Sequence, residues 1–198
     1  MKILIIVDMQ NDFIDGSLGT KEAQAVVPKV AKLIEDSAAE DTLILFTKDT
    51  HAKDYMNTLE GKNLPVSHCI KDDYGWELNP VIWYSYEKVK DKYYNVPEFS
   101  YYLFTKHHII EKPTFGSLDL QNILITLDDE SIHTKNDIES ITLAGLCTGI
   151  CVLSNAILCK ATLPEVPVNV IADCCACVTP ESHQTALDAM KLCQINII

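Results

Sequence analysis

The chain has 198 residues, 47% of them hydrophobic and 22% charged, which suits a folded protein with a sizeable core rather than a disordered one. Its formal net charge is −12, with 16 Lys and Arg against 28 Asp and Glu. Nucleic acid and anionic membrane partners are therefore not expected, because both need a basic surface.

The opening run Ile3–Val7 is apolar and stops at Asp8, too short for a signal core or a membrane span, and it predicts a buried strand. With no export signal, the eight cysteines are expected to be reduced thiols in the cytoplasm. Ala23–Ala38 carries apolar residues at helical spacing (Val26, Val27, Val30, Leu33, Ile34), with Pro28 near its start. Thr42–Thr47 predicts a second strand. A long polar and aromatic stretch follows, from about Thr50 to Lys106, with a small helix expected at Glu87–Lys92. His108–Glu111 predicts strand three and Leu118–Leu127 a helix, capped near Ser117 or Asp119. Ser140–Ala144 predicts strand four, Gly149–Lys160 a helix, Val168–Ala172 strand five, Pro180–Cys193 a helix and Ile195–Ile198 a short strand six.

Strands alternating with helices predict an α/β fold: a three-layer αβα sandwich with a six-stranded, mostly parallel sheet and helices on both faces. Residues 1–198 read as a single domain with a long lid-like insertion at about 50–106. In such sheets, sites form beyond the carboxyl ends of the strands. The residues there are Asp8, Lys48-Asp49-Thr50-His51, Lys112, Gly145–Cys151 and Asp173. Cys151 falls in the first turn of a predicted helix, where the positive helix end is expected to lower a thiol pKa and the free N–H groups to hold an oxyanion. Asp8 offers a carboxylate to take the thiol proton, and Lys112 a cation to stabilise the anions that form. Taken singly, each has a plainer reading: a turn Asp, a surface Lys, a core Cys. Cys174, Cys175 and Cys177 are expected to pack in the core.

Val7-Asp8-Met9-Gln10-Asn11-Asp12-Phe13 resembles the opening motif of the isochorismatase-like cysteine hydrolases, whose best-known members are nicotinamidases. Gly145-Leu146-Cys147-Thr148-Gly149-Ile150-Cys151-Val152 is similar to that family's nucleophile motif, and Lys112-Pro113-Thr114-Phe115-Gly116-Ser117 to its lysine segment. Ala172-Asp173 and His183-x-x-Ala186-Leu187-x-x-Met190 also match, so the resemblance runs the length of the chain. It implies that Asp8 is the general base, Lys112 the assisting cation and Cys151 the nucleophile. It further implies a cis peptide at Leu146-Cys147 and an oxyanion hole made by the backbone N–H groups of Cys147 and Cys151.

Asp49 and His51, two apart, with the distant His68, can offer three ligands to a divalent metal. The Asp-x-His after strand two and the later His68-Cys69 pair resemble nicotinamidases, where open metal positions take water and a pyridine nitrogen. Zn is the first expectation, and Fe or Mn also suit these donors. The alternative is that His51 and His68 only bond their loops. His107, His108 and His133 match no motif. The run Asn63-Leu64-Pro65-Val66-Ser67-His68 departs from the family, which has Trp-Pro directly before its x-His pair. Phe13 is expected to stack on a flat substrate ring, with Trp76 or a Tyr between 74 and 102 standing in for the absent Trp.

The expected function is hydrolysis of a small amide through a Cys151 thioester, with nicotinamide to nicotinate the first reaction to try. The alternatives are a related amidohydrolase acting on another small amide or carbamoyl compound, and a non-catalytic metal- or ligand-binding member of the fold. The resemblance also implies a homo-oligomer.

Overall fold

The computed structural model describes residues 1–37, 42–90, 109–134 and 137–198, with 130–134 described by backbone alone. Its centre is a six-stranded sheet in the order β3-β2-β1-β4-β5-β6. The strands are β1 (Lys2–Val7), β2 (Thr42–Asp49), β3 (Ile109–Lys112), β4 (Ser140–Leu146), β5 (Val168–Ala176) and β6 (Asn196–Ile197). All five pairings are parallel, so the sheet is wholly rather than mostly parallel. β1 and β2 are apolar on both faces, as strands covered from both sides must be.

Period-two alternation sends the side chains of β1 and β2 to two separate cores. Ile3, Ile5, Val7, Leu43 and Leu45 pack with Ile110 under α5 (Leu118–Thr134), α6 (Leu153–Thr162) and α7 (Pro180–Leu192). Leu4, Ile6, Ile44 and Phe46 pack on the opposite face with α2 (Lys21–Ser37) and α4 (Pro80–Glu87). This is the αβα sandwich that the alternating pattern predicts. Two further short helices are α1 (Asn11–Ile14), right after β1, and α3 (Leu59–Asn63), in the connection that follows β2. Among the described residues, no helix is long and apolar enough to cross a membrane.

The helix ends follow local chemistry. Thr179 and Ser182 form a reciprocal capping box at the start of α7, with Pro180 at its first position. Asn79 caps α4 by accepting from the Val81 N–H at 3.0 Å, again with a proline next. That Asn-Pro signal places the helix before Glu87, so the expected helix at Glu87–Lys92 is displaced toward the N-terminus, and 91–92 lie outside the described residues. The helix expected at Leu118–Leu127 continues to Thr134, and the side chain of His133 is not among those described. β3 starts at Ile109, and His107 and His108 lie outside the described residues.

β5 runs four residues past its expected end because it carries a bulge. Between two paired positions β4 advances from Leu143 to Gly145 while β5 advances from Val170 to Cys175. Asp173 lies in that bulge with its side chain 92% exposed, 4.0 Å from Lys29. It is not at the sheet's carboxyl edge, as expected from a strand ending at Ala172.

Candidate active site

β1 and β2 run in register up to Val7 and Thr47, and the Asp8 N–H still bonds the Thr47 carbonyl at 3.2 Å. At Asp8 the backbone turns left-handed (φ 47°), a conformation that Asp tolerates better than most residues. Thr47, Asp49 and Lys112 share the parity of Leu45 and Ile110, so strand geometry alone puts all three on one face. The turn brings the Asp8 carboxylate to them. Thr47 donates its hydroxyl to Asp8 Oδ1 at 2.6 Å, and Lys112 Nζ lies 2.6 Å from Asp8 Oδ2. That second contact is a close ion pair, and Oδ2 has no aligned hydrogen-bond partner among the described residues. Lys112 also lies 3.5 Å from Cys151 Sγ and 3.6 Å from Asp49 Oδ1. Asp8 and Lys112 are buried to within 1% and Cys151 to within 5%.

The turn that carries Cys151 is built differently from the expected helix start. Thr148–Val152 is a single π-helical turn, and α6 begins only at Leu153. The Cys147 carbonyl accepts from both the Ile150 N–H (3.0 Å) and the Val152 N–H (3.2 Å), which widens the turn. Upstream, Gly145 has φ 128°, and a Cβ there would meet the Val7 carbonyl oxygen at 2.1 Å. Only glycine lets β4 approach β1 so closely at this point. The Leu146-Cys147 peptide is cis, as the resemblance implied.

Two buried residues brace this turn, and sequence reasoning missed one of them. Asn155 donates to the Cys151 carbonyl (2.8 Å) and the Phe115 carbonyl (3.2 Å), and accepts from the Ser117 N–H (3.0 Å). It thereby ties the segment after Lys112 to the segment holding Cys151. Its signal was an amide inside an apolar helix, which must find partners when buried. Thr148, fully buried, has its hydroxyl 2.7 Å from His183 Nδ1 on α7.

Burial pushes the Cys151 thiol well above its ordinary pKa; Asp8 adds to this and Lys112 opposes it. The direction is opposite to the lowering expected from the helix end, because burial disfavours the thiolate. The resting thiol is protonated and needs a base. Burial raises the Asp8 carboxyl, with Lys112 opposing and Asp49 adding to the rise. Burial works against the Lys112 ammonium, but Asp8, Cys151 and Asp49 together carry its pKa upward, so it stays charged. Burial also pushes the Cys147 thiol up to about 12, which makes it a poor nucleophile. Cys174, Cys175 and Cys177 are buried in the core, and none of the eight cysteines is in a disulfide.

Beside this group, Asp49, His51 and His68 gather as expected, and Glu60 joins them. One donor atom from each lies within 4.8 Å of all the others. Asp49 Oδ2 is 2.9 Å from His51 Nε2 and 3.4 Å from His68 Nε2, and Glu60 Oε1 is 3.7 and 3.9 Å from the same two nitrogens. His68 Nδ1 donates to the Val66 carbonyl at 2.9 Å, which leaves Nε2 as the lone-pair nitrogen facing the cluster. Tyr55 packs its ring on both histidines, with centroids 4.7 and 4.9 Å away. Asp49 Oδ1 is buried without a hydrogen-bond partner among the described residues. Two imidazoles and two carboxylates, each offering a donor atom within 4.8 Å of the others, fit a Zn-type divalent ion. Glu60 comes from α3, which Thr58 caps by accepting from the Gly61 N–H. It belongs to no motif, so only the folded loop reveals it.

Phe13 is buried with its ring centroid 5.5 Å from that of His68, on the cluster's flank. Trp76 is committed elsewhere: Lys48 Nζ sits 3.0 Å from its ring centre and its Nε1 donates to Thr50 Oγ1 at 2.8 Å. Tyr74 and Tyr84 are exposed, and Tyr86 is packed against Phe46. The tyrosines beyond 90 lie outside the described residues.

The fold is similar to that of known proteins. A nicotinamidase from Saccharomyces cerevisiae is 31% identical over a match that spans 39% of this chain and 48% of the relative, so the chain matches about half the length of that curated relative. The crystal structure of a pyrazinamidase/nicotinamidase from Streptococcus mutans has a TM-score of 0.74 at 25% identity, covering 100% of both chains. That of a Pyrococcus horikoshii pyrazinamidase in complex with zinc has a TM-score of 0.72 at 24% identity, covering 100% of this chain and 98% of the other. The isochorismatase domain family matches residues 2–95 and 95–198, a span that takes in every strand and all seven ionisable residues gathered at the sheet edge. From the opening Asp8 to the last strand, this chain belongs to the isochorismatase family.

Proposed function

We propose that the protein is an amidohydrolase that cleaves a small amide through a thioester on Cys151, with nicotinamide, or its close analogue pyrazinamide, as substrate. The single observation that carries the reading is the buried contact chain Asp8–Lys112–Cys151, at 2.6 and 3.5 Å. In this reading the Cys151 thiol passes its proton to Asp8 as Sγ attacks the amide carbonyl. The backbone N–H groups of Cys147 and Cys151 hold the tetrahedral oxyanion, and Lys112 balances the charge. Asp8 then gives the proton to the departing nitrogen, which leaves as ammonia. Water, deprotonated by Asp8, attacks the thioester; the acid departs and the thiol is restored. The raised proton affinity of buried Asp8 suits it to both transfers.

Asp49, His51, His68 and Glu60 would hold a divalent ion, with Zn first and Fe or Mn as alternatives, giving a Lewis-acid position for a substrate ring nitrogen. Phe13, 5.5 Å from His68, stacks on the substrate ring beside it. Residues 1–198 act as one domain, with the connection at about 50–106 as a lid-like insertion, and the assembly is a homo-oligomer in the cytoplasm. The similarity to nicotinamidases and pyrazinamidases supports the substrate class.

The test is ammonia release from nicotinamide, pyrazinamide and an N-carbamoyl amine, each with and without chelator. The reading expects turnover of a pyridine or pyrazine amide that is lost on chelation and restored by Zn²⁺. Preferential turnover of the carbamoyl compound would redirect the substrate while keeping the chemistry. No turnover of any amide, together with tight Zn²⁺ binding, would favour a non-catalytic binding protein.

A further inference from the structure

One fully buried polar side chain at the sheet edge lies outside both groups just described. Gln10 follows Asp8 by two residues and is 0% exposed. Its surroundings follow from the register. β1 stays paired with β2 up to Val7↔Thr47, Asp8 makes one more bond to the Thr47 carbonyl, and the chain then turns away. β2 continues to Asp49 and remains paired with β3 on its other edge, where the Thr50 N–H bonds the Lys112 carbonyl at 2.8 Å. The edge of Asp49 that faces β1 is thus left without a strand. Gln10 fills that gap. Its Oε1 accepts from the Asp49 N–H at 2.7 Å, and its Nε2 donates to the Asp49 carbonyl at 2.8 Å. The second Nε2 hydrogen goes to the Trp76 carbonyl, also at 2.8 Å. The side-chain amide takes the place of the missing peptide group, with both of its donors used.

We propose that Gln10 is a positioning residue for the metal cluster: it clamps both backbone groups of Asp49 and so sets where that carboxylate points. Beyond this backbone clamp, the Asp49 carboxylate is held among the described residues by charged or ring nitrogens alone: His51 at 2.9 Å, His68 at 3.4 Å and Lys112 at 3.6 Å. Among the same residues Oδ1 has no hydrogen-bond partner, and Oδ2 faces the two histidine nitrogens. The same amide reaches the loop of Trp76, so three separate chain segments meet at Gln10. Because Asp8 stands two residues away on the same short connection, the clamp also ties the proposed base to the proposed metal ligand. This inference rests on the reading that Asp49, His51 and His68 hold a divalent ion.

The experiment measures Zn²⁺ affinity by chelator competition for the wild type, Gln10→Met (similar length, no hydrogen bonds) and Gln10→Glu (acceptor kept, donors lost). Circular dichroism and thermal unfolding of the metal-free proteins run alongside. The expected result is a folded variant whose Zn²⁺ affinity falls by about 10- to 100-fold, the range for losing a partner that orients a ligand. Zn²⁺ should also raise the melting temperature of the variants less than that of the wild type. A role in folding alone would lower the melting temperature and leave the affinity of the folded protein unchanged, and that result overturns the inference while sparing the metal site. A wild-type chain that takes up no Zn²⁺ overturns the metal site and the inference together.

Discussion

The two groups at the sheet edge are built by different means. Asp8 and Lys112 lie at or just beyond strand ends and Cys151 on the turn after β4; strand register, the left-handed backbone at Asp8 and the π-helical turn bring them together. Asp49 also ends a strand, but His51, Glu60 and His68 come from the connection that follows, held by a 3₁₀ turn, the short α3 and the bond from His68 to Val66. The first group hangs on the paired strands and the turns that leave them. The second depends on side-chain contacts such as Tyr55 on both imidazoles and Gln10 on Asp49. Chemistry that needs fixed distances between reacting atoms sits on the strands, while the group proposed to receive the substrate ring sits on the loop, where sequence can change without disturbing the sheet.

This contrast is open to direct attack. Cys151→Ala removes the nucleophile without touching the loop cluster, and amide turnover is expected to fall by about 10⁴-fold or more with Zn²⁺ affinity unchanged. Asp8→Asn keeps the shape and removes the base, for an expected loss of about 10²- to 10⁴-fold. In the wild type, kcat/KM should fall on the acid side with an apparent pKa above the ordinary carboxylate range, because a raised Asp8 pKa means protonation sets in at higher pH. An acid limb at or below that range would contradict this assignment. His68→Ala should weaken Zn²⁺ binding by more than about 100-fold and Glu60→Ala by about 10-fold, while alkylation of Cys151 proceeds at the wild-type rate. Loss of thiol reactivity along with the metal would show that the two groups are not independent. The smallest effect is expected at the seam: Asn155→Ala leaves buried backbone groups unpaired and should cost about 1–3 kcal/mol of stability by denaturant unfolding.

The same contrast decides what could be read from the sequence. Alternating apolar runs and helical periods fix the αβα sandwich, and the rule for parallel sheets leads to Asp8, Lys112 and Cys151. Asp49 and His51 are legible for the same reason, one at and one just beyond a strand end. Glu60 is not, because its arrival depends on a loop path that no periodicity encodes. Asp173 misleads because a bulge in β5 is invisible to hydrophobic pattern, so the apparent strand end at Ala172 is the bend itself. The thiol pKa misleads for another reason. Helix position is written in the sequence, whereas burial to 5% exposure is a property of the packed molecule, and that burial raises the thiol pKa. Asp8 illustrates both limits: its place after β1 is legible, but strand parity would send it to the opposite face from Thr47, and only the left-handed backbone at that residue brings it to Lys112.

The central claim is that the amide passes through an acyl group on Cys151. Hydroxylamine added during nicotinamide turnover tests this directly, because it intercepts a thioester in competition with water. The account predicts that the wild-type enzyme forms nicotinohydroxamate together with nicotinate while the rate of ammonia release holds, and that Cys151→Ala forms neither product. Ammonia release by Cys151→Ala equal to that of the wild type, with no hydroxamate from either, would contradict it.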